Sequence, residues 1–152
     1  MRLILAVVLG LACPSCWALS ESEPNGASFL ENGPFTIPAT ITGSLQNDGG
    51  FLADYFSFST AAGQKWRLIA SVTNLSNFFP MDNKLEVENG AVQRVGLANS
   101  FGANGTETLN FTAPSAGTFY LVVVESTQTA NAVAGYSVAV LPQAAVSDWN
   151  LY

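Results

Sequence analysis

The chain has 152 residues, of which 49% are hydrophobic and only 11% charged, with a formal net charge of −6 and no histidine. Such a composition excludes a disordered chain, and the acidic balance argues against nucleic acid and anionic membranes as partners. Without histidine there is no Ser-His-Asp or Cys-His arrangement and no histidine-bound zinc.

The chain opens with Arg2, an apolar run over residues 3–12 and then small residues, the layout of a secretory signal peptide over residues 1–18. The run is too short to span a bilayer, so no membrane span is expected. Ala18 and Ser20 both satisfy the small-residue rule at the cut. Cys13 does not complete a lipobox, because Gly10 stands where a large aliphatic residue belongs. Export predicts a secreted or periplasmic protein. Removing the leader takes away Cys13 and Cys16, leaving no disulfide and no thiol nucleophile, and losing Arg2 makes the charge −7. The remaining length suits one hydrophobic core.

Behind the leader stands Glu21-Ser22-Glu23-Pro24-Asn25, in which oxygen-bearing side chains alternate along a segment that Pro24 helps keep extended. Period-two alternation then dominates, and helical periodicity is nearly absent. Strands are predicted over residues 36–45, 53–59, 65–73, 84–88, 91–97, 106–113, 119–124 and 136–141. In the third of these, Trp66, Leu68, Ala70 and Val72 share one face, which marks a strand with one buried side. In the sixth, Leu109 and Phe111 point inward while Thr108, Asn110 and Thr112 point out. The segment 119–124 is apolar on both faces, as expected of a central strand. Asn47-Asp48-Gly49-Gly50, Asn89-Gly90 and Asn104-Gly105 supply residues that tolerate positive φ, and Asn89-Gly90 is the clearest hairpin. Phe78-Phe79-Pro80 falls in an irregular loop. The sum is an all-β fold, an antiparallel, jelly-roll-like β-sandwich of about eight strands over residues 21–141, followed by a tail over 142–152.

Glu86, Glu88, Glu107 and Glu125 are carboxylates of the type a glycosidase pairs across a cleft. Glu86 and Glu88 lie two apart on one strand, hence on one face, which a solvated sheet surface explains as well. No acid, base or nucleophile constellation assembles, and the chain is expected not to be an enzyme.

Three phrases in fixed order carry a resemblance: Glu21-Ser22-Glu23-Pro24-Asn25, then Asp54-Tyr55-Phe56-Ser57-Phe58, then Gly117-Thr118-Phe119-Tyr120-Leu121-Val122-Val123-Val124. Together they resemble the bacterial pre-peptidase C-terminal domain family. The resemblance implies a secreted, noncatalytic accessory sandwich that docks on an extracellular polymer, polysaccharide or protein, or accompanies a secreted enzyme. In calcium-binding members the acidic phrase and aspartates near the Asp-aromatic strand clasp the ion. Carried onto this chain, the implied ligands are Glu21, Glu23, Asn25 and Asp54, with Asp48 joining them if the Gly49-Gly50 loop folds back. Gly26 and Phe51 depart from that pattern, standing where further oxygen donors would help. The alternative is an assembly role in which the sandwich lends an edge strand to another secreted chain. An aromatic platform on one sheet face would favour polymer binding, and alternation places Tyr55 outward and Trp66 inward.

Overall fold

The computed structural model describes residues 17–22, 26–27, 31–45, 53–74, 82–102, 105–126 and 134–143. The leader up to residue 16, Phe78-Phe79-Pro80 and the tail beyond residue 143 lie outside the described residues.

Ten strands follow in chain order: β1 (Trp17–Ser20), β2 (Asn32–Phe35), β3 (Ala39–Leu45), β4 (Ala53–Thr60), β5 (Lys65–Asn74), β6 (Asn83–Asn89), β7 (Arg94–Ala98), β8 (Glu107–Thr112), β9 (Gly117–Glu125) and β10 (Ala134–Pro142). They form two five-stranded sheets, ordered β1-β3-β10-β5-β8 and β2-β4-β9-β6-β7. The alternation in β5 is realised as read: Trp66, Leu68 and Ala70 are buried, and Lys65 and Arg67 are exposed.

Two strands exceed the sequence expectation, and both pair in parallel, β1 with β3 and β2 with β4. Neither shows period-two patterning. Trp17 and Ala18 read as leader, and Gly33-Pro34 reads as a strand breaker. Both strands lie at sheet edges, where an unpatterned strand is tolerated. The other pairings are antiparallel.

The hairpin between β6 and β7 corrects the reading of Asn89-Gly90 as a tight two-residue turn. Four residues connect the strands, Asn89 Oδ1 accepts from Ala91 N and Gln93 N at 3.0 Å each, and the residue with positive φ is Val92, at 58°. The asparagine side chain, rather than the glycine, organises the reversal.

The core between the sheets is built on aromatic rings. Phe56 meets Tyr136 edge-on at 6.5 Å, Phe111 meets Phe119 at 5.4 Å, and Phe58 lies between Phe119 and Phe35 at 6.1 and 5.4 Å. Leu68, Leu85, Val87, Leu121, Val138 and Val140 fill the space around them without exposure. Each such side chain contributes on the order of 1.5–3 kcal/mol by leaving water. At Gly96 on β7 the two sheets approach closely, since a Cβ there would stand 3.2 Å from Leu109 Cδ2 on β8.

Candidate functional site

At one end of the sandwich two carboxylates converge on one hydroxyl. Asp54, the second residue of β4, points into the core with Phe56 and Phe58 and is only 3% exposed. Tyr136 enters from β10 in the other sheet and is fully buried, with its Oη 2.6 Å from Asp54 Oδ2 and 2.8 Å from Glu21 Oε2. Glu21 follows directly on β1. Its backbone N–H donates to Thr42 O at 3.1 Å, and its Oε1 accepts from Ser44 N. Next to it Ser22 is clasped by Asn32, which accepts from Ser22 N at 2.8 Å and donates to Ser22 O at 2.9 Å. Gly43 makes room for this arrangement, because a Cβ at that position would run into Glu21 Oε2 and Tyr136 Oη.

The chemistry follows from proton counting. A phenol carries one proton, so it satisfies one carboxylate at a time and turns a lone pair to the other. Burial, together with the Asp54 and Glu21 charges, pushes the Tyr136 hydroxyl well above the ordinary tyrosine range, so it stays protonated.

Two of the five implied calcium ligands, Glu21 and Asp54, are thus brought together. Glu23, Asn25 and Asp48 lie outside the described residues. Among the described residues, no three His, Cys, Asp or Glu side chains gather as metal ligands do. The donors that do converge are hard oxygens on an acidic, buried spot, which fits calcium chemistry.

Sequence reasoning missed Tyr136. The signal was available: it heads the inward series Tyr136, Val138, Val140, and a phenol at an inward position needs a partner for its hydroxyl. Glu107 is a second such case, since it lies on the inward face with Leu109 and Phe111 and is 1% exposed. Its carboxylate accepts from Ser100 N at 3.1 and 3.0 Å and from Phe101 N at 2.7 Å, so it holds the β7–β8 connection.

The outer face of the second sheet carries the remaining functional candidates. Tyr55 and Tyr120 stand there as neighbours, T-shaped at 6.4 Å, and Tyr55 points outward as expected. Glu86 and Glu88 share this face, but each is only 9% exposed, which corrects their reading as a solvated pair. Glu86 is paired with Lys84 at 2.8 Å and Arg94 at 3.3 Å. Glu88 Oε2 is buried without a hydrogen-bond partner among the described residues. Burial, then the Glu86 charge, raises the Glu88 carboxyl above its ordinary value, while Arg94 pulls the other way.

The architecture defines a class first: a two-sheet β-sandwich with no helix among the described residues. Residues 52–125, from just before β4 to the end of β9, match the family model of the Bacterial pre-peptidase C-terminal domain. Among solved structures, the chain is similar to the pre-peptidase C-terminal domain of collagenase from Bacillus anthracis, with 16% identity, a TM-score of 0.49, and coverage of 83% of this chain and 94% of that one. It is also similar to PliG from Aeromonas hydrophila, a periplasmic inhibitor of g-type lysozyme, with 14% identity, a TM-score of 0.49, and coverage of 85% and 100%. No curated protein matches the sequence. No helix among the described residues is long and apolar enough to cross a membrane.

Proposed function

We propose that this chain is an exported, noncatalytic binding module, steadied by calcium, that docks on an extracellular polymer or a partner protein. The observation that carries the reading is the meeting of Glu21 and Asp54 at Tyr136 Oη. It joins the acidic N-terminal phrase to the Asp-aromatic strand, the two segments that supply the ion's ligands in the reading the resemblance suggests. Glu21 and Asp54 would hold it, with Glu23, Asn25 and Asp48 as the further donors. Bound there, the ion would supply positive charge to the two converging carboxylates.

Two of the four carboxylates that a hydrolase could draw on are engaged otherwise. Glu107 holds backbone N–H groups and Glu86 is neutralised by Lys84 and Arg94. A domain so built acts by binding.

The test is a melting curve of the mature protein in calcium and in chelator. A ligand at 100 times its Kd stabilises by about 2.7 kcal/mol, and Glu21→Gln should remove most of that gain. Identical curves would sink the calcium site. Peptide, ester and glycoside substrates should not turn over. Reproducible turnover that is lost on replacing one carboxylate, with the fold intact, would sink the noncatalytic reading.

A second reading, assembly with another secreted chain, is favoured by the edge strand β7. Val95 and Leu97 on it, with Val92 and Phe101 beside it, are 39–58% exposed, an apolar edge of the kind that accepts another strand. Recovery of one stoichiometric protein from the native secretome would support assembly, and retention on an insoluble polymer would support docking.

A further inference from the structure

The end of the sandwich away from Glu21 and Asp54 carries a cleft of about 490 Å³, lined by Pro34, Phe35, Thr36, Ile37, Ser59, Gln64 and Trp66. Ser59 is five residues beyond Asp54 on β4, so the cleft and the carboxylate pair are about 16 Å apart along that strand. The two are separate places.

Its chemistry is specific. Phe35 supplies aromatic surface and is held against Phe58 at 5.4 Å, and the largely buried Trp66, 8% exposed, closes the floor. Trp66 Nε1–H donates to Thr60 Oγ1 at 2.9 Å, and that hydroxyl lies 3.1 Å from Gln64 Oε1. Because Thr60 accepts from the indole, its own proton goes to the Gln64 carbonyl. The relay therefore fixes the Gln64 carboxamide and leaves its NH₂ as the donating end. Thr36 and Ser59 add exposed hydroxyls to the rim. None of the seven lining residues is ionisable.

A few placed polar groups over apolar walls, in a volume of this size, are the makings of a small-ligand site. The occupant must offer an apolar face to the aromatics and hydroxyls to a carboxamide and two alcohols, and it must be uncharged to suit a lining without counter-charges. The chain's net charge of −6 further disfavours uronate or sulfated chains. We infer that this cleft binds a neutral oligosaccharide, seated on Phe35 above the floor that Trp66 closes and held by Gln64, Ser59 and Thr36. The inference rests on the binding-module reading and names its ligand class.

Titration of the mature protein with cellohexaose, xylohexaose, laminarihexaose and chitohexaose, followed by calorimetry and by the amide and indole signals in NMR spectra, tests it. At least one sugar should bind and shift the Trp66 indole and Gln64 side-chain signals, whereas hexagalacturonate should not. Gln64→Ala, at an exposed position, should keep the fold and weaken binding roughly threefold to tenfold, the worth of a neutral hydrogen bond. The inference is overturned if no neutral hexasaccharide shifts those signals at about 10 mM, the weak limit of useful affinity. It is equally overturned if binding persists unchanged in both Gln64→Ala and Ser59→Ala. Silence with every sugar, combined with recovery of a stoichiometric secreted partner, would remove the cleft and leave the module reading standing. Silence with sugars, insoluble polymers and secretome proteins alike would remove both.

Discussion

Tyr136 Oη lies 2.6 Å from Asp54 Oδ2, a bond that joins β10 of one sheet to β4 of the other through the buried interior. It is a polar tie between the two sheets, as is the Trp66–Thr60 bond toward the other end.

Replacing that phenol tests the tie. Tyr136→Phe should cost about 1–3 kcal/mol at neutral pH, because the buried Asp54 and the half-buried Glu21 lose the one hydroxyl they share. Burial and the two acids raise the folded-state pKa of Tyr136 above its unfolded value of 10.0. The stabilisation is therefore complete below pH 10 and is lost as pH rises beyond it, when the unfolded chain releases the proton more readily. Melting temperatures measured against pH should fall above about pH 10, and fall less steeply in Tyr136→Phe.

Glu107 should be a structural acid. Its carboxylate takes hydrogen bonds from two backbone N–H groups in the β7–β8 connection, at 2.7 to 3.1 Å. Glu107→Ala is expected to destabilise by about 2–4 kcal/mol, and Glu107→Gln by less, since an amide oxygen still accepts. Urea unfolding of the two variants gives the comparison, and equal stabilities would contradict the role.

Glu88 follows the same sign as Tyr136 in a lower pH range. Its carboxyl is raised above the ordinary value of 4.5 by burial and by Glu86, so the stability it lends is present below that value and lost as pH rises. At pH 7 the ionised form is a burden. Glu88→Gln should raise stability at neutral pH by up to about 1 kcal/mol, and the gain should vanish toward pH 4. A loss of stability at pH 7 would refute this.

Val92 is the one non-glycine residue with positive φ among the described residues, at 58°. A β-branched side chain is disfavoured there by roughly 1–2 kcal/mol, while asparagine tolerates the conformation. Val92→Asn should therefore raise the melting temperature and also remove an exposed apolar side chain. Thermal unfolding followed by circular dichroism measures it.

The antiparallel framework was legible because alternation and burial coincide. Trp66, Leu68 and Ala70 on β5 and Leu109 and Phe111 on β8 sit on the faces their spacing indicated. β2 was not legible, because its pairing with β4 is fixed by tertiary position and its Gly33-Pro34 runs against strand propensity. For the site, Glu21 and Asp54 could be read from their phrases. The phenol that joins them was legible as an inward residue in need of a partner, but its partners were not, since only the register of β10 against β3 and β5 brings Tyr136 to that end.

With export as proposed, the parallel pairing of β1 with β3 would tie leader removal to the shape of the mature edge. Trp17 to Ser20 lie beside Ala39 to Thr42, residue for residue, and the expected leader cuts fall within this strand or directly after it. A cut after Ala18 leaves half of the cover, whereas a cut after Ser20 strips the main chain of β3 and puts a new α-amino group directly on Glu21. The positive charge born at that cut then stands on the residue whose carboxylate meets Tyr136 and Asp54. Leader removal would in this way bring a cation to the acidic end of the sandwich before any ion arrives.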